Sequence, residues 1–173
     1  MGKPRLELIS PAKEKRTVAP RRRSNRELRP REHLTELEVA KLIEAAKRNR
    51  HGQRDATMIL ICFRHGLRAS ELCELQWSDL EFETATLHLR RTKSERGAPF
   101  TVSGLQKLVE RAGIVTKIPF KVHPHMLRHA TGYVLANRGT DTRTLQGYLG
   151  HRSIQSTVRY TELAPNRFKN LWK

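Results

Sequence analysis

The chain has 173 residues, with 34 lysines and arginines against 17 aspartates and glutamates, a formal charge of +17 at pH 7. That excess, with a mean hydropathy of −0.65, argues against a membrane-spanning protein, because no apolar run reaches the roughly 18 residues of a span. It points instead to a polyanionic partner whose phosphates the basic side chains would attract. Two cysteines, Cys62 and Cys73, sit in apolar helical contexts without metal spacing. They read as reduced core residues of a cytoplasmic protein, and neither a metal nor a cofactor is expected.

Residues 1–32 hold four prolines, the Arg21-Arg22-Arg23 run and few apolar residues. Eleven basic residues against four acidic ones leave this segment at +7. It cannot bury enough surface to offset its ordering entropy, so it reads as a disordered arm that tracks a phosphate backbone. A helical body is expected over 33–173. Thr35 opens its first helix, with Glu38 completing a capping box and Leu34 available as a staple. Leu37, Ala40, Leu42, Ile43 and Ala46 are the expected buried face, with Lys41, Glu44 and Lys47 outward.

Asp55 to His65 is apolar almost all round and predicts a central helix, stopped by Gly66. Arg68 then falls at a helix start, where backbone donors can face an anion. That next helix carries Glu71, Leu72 and Leu75. Trp77 to Asp79 predicts a turn, and Phe82 to Arg91 a short hairpin. Val102 to Ala112 predicts an amphipathic helix stopped at Gly113. Pro124 opens a helix reaching Arg138, since proline is tolerated at a first helical position. Thr142 to Leu149 predicts the next, stopped by Gly150, and Ser153 can open a last helix bearing Tyr160. The expected fold class is mainly α with a small β-hairpin or sheet.

Chemistry concentrates in three stretches: Gly66-Leu67-Arg68-Ala69-Ser70-Glu71-Leu72, His123-Pro124-His125-Met126-Leu127-Arg128-His129, and Gly150-His151 through Tyr160. They supply a phenol, two guanidiniums and two imidazoles, a set that can break a phosphodiester without a metal. Phosphoryl transfer spreads charge over the equatorial oxygens, and fixed cations around them do most of the catalysis. Arginine grips a phosphate with two bonds and keeps its charge. A tyrosine hydroxyl, with a free pKa of about 10, needs neighbouring cations to favour the phenolate or a base to take its proton. His125 and Arg128 are three apart and share one helical face. His123 and His129 read as structural.

At these residues the chain resembles the tyrosine recombinase (phage integrase) family, over roughly Leu34 to Lys173, and most closely the short fimbrial-switch invertases. Arg68 matches the family's first arginine; His125 and Arg128 match its His-x-x-Arg motif. His151 matches the histidine of its Leu-Gly-His motif, and Tyr160 the nucleophile nine residues later. The resemblance implies a tyrosine recombinase catalytic-domain-like fold. It also implies a 3′-phosphotyrosine intermediate, a double-stranded DNA partner and a homo-oligomer, a tetramer on DNA. A family lysine protonates the leaving 5′ oxygen from a hairpin turn, and Lys93 is the residue that matches it. The return strand and helical stretch that follow in the family are missing after Lys93, so the domain at 33–173 reads as shortened there. The resemblance thus carries two functions, an active recombinase or invertase and a catalytically impaired DNA-binding relative. A basic helical RNA-binding protein is the alternative that sets the resemblance aside.

Overall fold

A computed structural model describes residues 31–89 and 100–162. The arm up to residue 30, Lys93 and the segment after Glu162 lie outside the described residues. Helices α1 (Glu36–Lys47), α2 (Gly52–His65) and α3 (Ala69–Cys73) come first, then a 3-10 turn at Trp77–Asp79 and the two-residue strands β1 (Leu80–Glu81) and β2 (Thr86–Leu87). Helices α4 (Val102–Val115), α5 (Pro124–Asn137), α6 (Thr142–Leu149) and α7 (Gln155–Glu162) follow. The mainly helical class with a small sheet is as expected.

Local chemistry sets most of the helix ends. Thr35 Oγ1 accepts from Glu38 N at 3.2 Å, and Glu38 Oε2 accepts from Thr35 N at 2.8 Å, closing the capping box. Gly66 (φ 60°) and Gly150 (φ 64°) end α2 and α6 in the left-handed region, where a side chain would be strained. Asp141 caps α6 by accepting from the amides of Arg143 and Thr144. Pro124 is the first residue of α5.

Several expected features differ. The buried face of α1 is Val39, Leu42, Ala45 and Ala46, while Leu37 is 76% exposed. Spacing alone fits both stripes; packing of α1 against α2 and α4 selects one. Helix α3 ends at Cys73, short of Leu75. The sheet starts before the expected hairpin: Leu80 pairs with Leu87 and Glu81 with Thr86, so β2 falls within the expected span while Phe82 stands exposed in the connection. Helix α4 runs through Gly113 to Val115. Gly113 serves close packing, since a Cβ there would lie 2.7 Å from Val122 Cγ2. The helix stops after Thr116, at Lys117 with φ 55°.

The main core gathers Leu34, Val39, Leu42, Ile59, Leu67, Leu105, Leu108, Met126 and Leu127. Cys62 is buried within it, and burial pushes its thiol up to about 12, so both cysteines are inert core residues. A smaller core between α5, α6 and α7 holds Ala136, Leu145, Leu149 and Tyr160. Gly113→Ala is expected to destabilise the fold. A helical alanine gains about 1 kcal/mol over glycine, but overpacking against Val122 costs about 1–3 kcal/mol. Chemical denaturation should show a lower midpoint for Gly113→Ala alone, and a neutral or favourable effect of the same change in a Val122→Ala background.

Candidate active site

Arg128 lies on the inner face of α5, 2% exposed. Its Nη1 donates to the Gly66 carbonyl and its Nη2 to the Leu149 carbonyl. Those acceptors belong to the ends of α2 and α6, where carbonyls have no partner within their own helix. The guanidinium therefore satisfies two helix termini and sits at the negative ends of their dipoles.

Arg68, the N-cap of α3, lies alongside. Its Nη2 donates to the Gly150 carbonyl at 3.1 Å and its Nη1 to Glu71 Oε1 at 2.6 Å. Glu71 Oε2 accepts from the Arg68 amide at 2.7 Å and stands 4.0 Å from Arg128 Nη1. One carboxylate thus sits between the two arginines. It also takes the helix-start amide that the sequence assigns to an anion, so α3 offers a guanidinium rather than open backbone donors. The Arg68 side chain keeps 42% of its surface exposed, enough to meet a phosphate.

His125 and His151 close on this pair. Burial, then the charges of Arg128, Arg159 and Arg68, lowers the pKa of His125. Burial, then Arg128 and Arg68, takes His151 down to about 4. His151 Nδ1 is held 2.8 Å from Thr157 Oγ1, on the helix that carries the tyrosine. Both imidazoles are therefore neutral at pH 7 and free to take a proton if a phosphate neutralises the arginines.

Tyr160 belongs to the same cluster but faces away from solvent, at 0% exposure. Its ring stacks at 17° to His151, with centroids 6.2 Å apart, and its hydroxyl lies 2.6 Å from His129 Nδ1. Arg159 Nη2 lies 2.7 Å from the same nitrogen, 3.0 Å from His129 Nε2 and 3.4 Å from the tyrosine oxygen, so one guanidinium covers the whole His129–Tyr160 pair. Burial, then Arg159, takes His129 down to about 3, which keeps it neutral and able to accept. The tyrosine pKa is raised, since desolvation outweighs Arg159 and Arg128. This corrects the expectation that nearby cations would favour the phenolate: in this seat burial wins.

Two contacts of the hydroxyl lie outside the motif set, His129 and Arg159. His129 keeps its structural reading and gains a specific contact, the tyrosine hydroxyl. Its position carried a signal, four residues after His125 and so on the same face of α5. Gly132 also matters, because a Cβ there would lie 2.8 Å from the tyrosine ring. Among the described residues no cluster of metal-ligating side chains is present, and no helix is long and apolar enough to cross a membrane.

The model of the phage integrase family matches residues 32–103 and 93–167. The chain belongs to this family. It is 35% identical over 181 residues to the type 1 fimbriae regulatory protein FimE of Escherichia coli K12, covering 83% of this chain and 91% of that protein. The crystal structure of XerA recombinase aligns with a TM-score of 0.68 at 25% identity, over 87% of this chain and 67% of that one. The recombinase XerH, bound to its palindromic difH substrate, shares the fold with a TM-score of 0.68 at 20% identity, over 80% of this chain and 52% of that one.

The family match is broken into two pieces that meet at residues 93–103, where the sequence reads as shortened. In the alignment with FimE, 83% of 173 residues is about 144, about 37 fewer than the 181 aligned positions. FimE thus carries about 37 positions within the aligned span that this chain lacks. Nothing found favours an RNA-binding protein.

The neutral histidines set an acid limit to stability. A histidine whose folded pKa lies below its unfolded 6.5 binds fewer protons folded than unfolded. Its contribution is complete above pH 6.5 and is lost as the pH falls toward about 4 for His151 and about 3 for His129. The melting temperature should fall between pH 6.5 and 4, and His129→Gln should make that fall shallower. Thermal melts at half-unit pH steps measure both slopes.

Proposed function

We propose that this chain is a site-specific DNA recombinase that cuts and rejoins DNA through Tyr160. The observation that carries the reading is the convergence of Arg68, Arg128, His125 and His151 beside the helix bearing Tyr160. A scissile phosphate would replace Glu71 as the anion between the two arginines, which then stabilise the charge that grows on its oxygens. The tyrosine oxygen attacks phosphorus, its proton passing to a neutral imidazole. The P–O5′ bond breaks, and the 5′ oxygen takes its proton from Lys93. The product is a 3′-phosphotyrosine and a free 5′-hydroxyl, and reversal with a new 5′-hydroxyl rejoins the strands without ATP. The arm expected at 1–32 is shorter by two residues, since Arg31 and Glu32 pair with Glu38 and Arg159 of the body; the basic residues before them would add sequence-independent phosphate contacts. Four protomers would exchange four strands, in the cytoplasm where the DNA is.

The test is a nicked suicide duplex scored for a denaturation-resistant protein–DNA adduct. Wild type should form it, and Tyr160→Phe, which loses only the hydroxyl, should bind the duplex and form none. Arg68→Lys should lose on the order of 10²-fold in adduct rate, because the two-pronged grip on one phosphate is gone. A normal adduct yield from Tyr160→Phe would sink the assignment.

The missing segment favours a second reading, a DNA-binding relative impaired in chemistry. The break falls where Lys93 needs a rigid platform, and general-acid catalysis is worth roughly 10²–10⁴ in rate. A 5′-bridging phosphorothiolate separates the two, since its thiolate leaves without a proton. Impaired chemistry predicts slow adduct formation on the ordinary duplex, recovery on the phosphorothiolate, and no further loss in Lys93→Ala. An active enzyme predicts fast reaction on both, with Lys93→Ala slow on the ordinary duplex alone.

A further inference from the structure

Residues that precede the first helix touch two neighbours of Tyr160. Glu32 Oε2 lies 3.6 Å from Arg159 Nη1. Arg159 in turn sits over the Tyr160 ring, 5.2 Å from its centroid, and donates to His129, the partner of the tyrosine hydroxyl. The next residue, His33, packs against Tyr133 with the rings tilted at 36° and their centroids 4.0 Å apart. Tyr133 meets Tyr160 edge to face, at 5.0 Å and 90°. Two consecutive residues thus bear on the buried tyrosine by separate routes.

The segment carrying them is pinned on both sides. Arg31 pairs with Glu38 on α1 and lies over the Phe120 ring. Leu34 is buried in the main core. Beside His33 and Tyr133 opens a cavity of about 420 Å³, bordered by Leu37, Asn137 and Arg138.

We propose that Glu32 and His33 form a latch that holds Tyr160 in its buried seat, and that a DNA phosphate releases it by taking Arg159 from Glu32. A half-exposed carboxylate on a half-exposed guanidinium is a contact that a phosphate can displace, because the pair is weak in water and the phosphate brings more charge and more acceptor oxygens. Glu32 stands close enough to the site for its charge to be felt at His125 and Tyr133. Once Arg159 turns to the phosphate, the hydroxyl loses its neighbour on His129 and the ring loses its cover. Glu32 and His33 are positioning residues, acting on the tyrosine through Arg159 and Tyr133. The consequence for strand cleavage rests on the reading of Tyr160 as the nucleophile; the holding of the side chain does not.

The experiment reads tyrosine accessibility in the full chain without DNA. Acylation by N-acetylimidazole is followed by mass spectrometry of the Tyr160 peptide, with the Tyr148 peptide as internal reference, since Tyr148 is exposed and bonded to the Arg64 carbonyl. Glu32→Gln should raise the Tyr160 rate about two- to five-fold, the worth of one exposed ion pair. Adding His33→Ala should bring the rise to on the order of ten-fold, as an aromatic contact is also lost. The Tyr148 rate should not change. An unchanged Tyr160 rate in the double variant overturns the latch. So does a parallel rise at Tyr148 and Tyr160, which would mean general loosening. The suicide duplex is run on the same proteins, where Glu32→Gln should speed adduct formation in the same ratio. Faster labelling with no adduct in any protein supports the latch and overturns the recombinase reading.

Discussion

The buried guanidinium of Arg128 is the constraint on which the site depends. A charge this deep must be paired or solvated by fixed dipoles, or the fold pays heavily for it. Here the carbonyls of Gly66 and Leu149 do that work, with Glu71 4.0 Å away. The arrangement requires α2 to end at Gly66, α6 to end at Leu149 and both ends to point at one spot on α5. Arg68 repeats the device one step outward on the Gly150 carbonyl. The two arginines are therefore structural ties already, and under the proposed function they would be phosphate ligands as well. Their positions are fixed before any substrate arrives, which is what electrostatic preorganisation demands.

Tyr160 shows the opposite economy. Its ring fills the small core between α5, α6 and α7, closed beneath by Gly132 and beside by Leu145 and Leu149. Fully burying an aromatic side chain is worth about 1.5–3 kcal/mol. A conformer with the ring drawn out would then be populated at roughly 1–10% if nothing else opposed it. The hydrogen bond to His129 and the cover of Arg159 lower that fraction further. Such a site does not present a reactive phenol until something supplies the difference, and under the proposed function a phosphate bound between Arg68 and Arg128 would supply it.

Electrostatics and burial divide the roles of the four histidines around the site. His125 and His151 feel both Arg68 and Arg128, so a bound phosphate would raise their affinity for a proton. His129 is more deeply buried and beside Arg159, which keeps it a neutral acceptor. His33 lies on the other side of Tyr133 and contributes a ring rather than a charge. One residue type thus serves as hydroxyl anchor and packing surface, and under the proposed function as proton acceptor, and only its surroundings tell these uses apart.

The sequence by itself determined what depends on near neighbours. Thr35 with Glu38, Pro124, Asp141, Gly66 and Gly150 set helix ends through caps and backbone angles that three to five residues fix. The motifs around Arg68, His125, Arg128, His151 and Tyr160 singled out residues that the fold brings together, because each motif also places its residue at a helix end or on a helix face. What the tertiary structure decided depends on residues far apart in the chain. Leu37 and Val39 both fit an amphipathic stripe on α1, and only the helices packed against it choose. Gly113 is spelled like a helix stop, yet Val122 across the interface makes it a contact point within α4. Tyr160 reads as a nucleophile from its motif, but its burial, its partner His129 and the contacts of Glu32 and His33 arise from the meeting of α5, α7 and the segment before α1. Pairing across such distances is set by packing, and no local pattern in the chain encodes it.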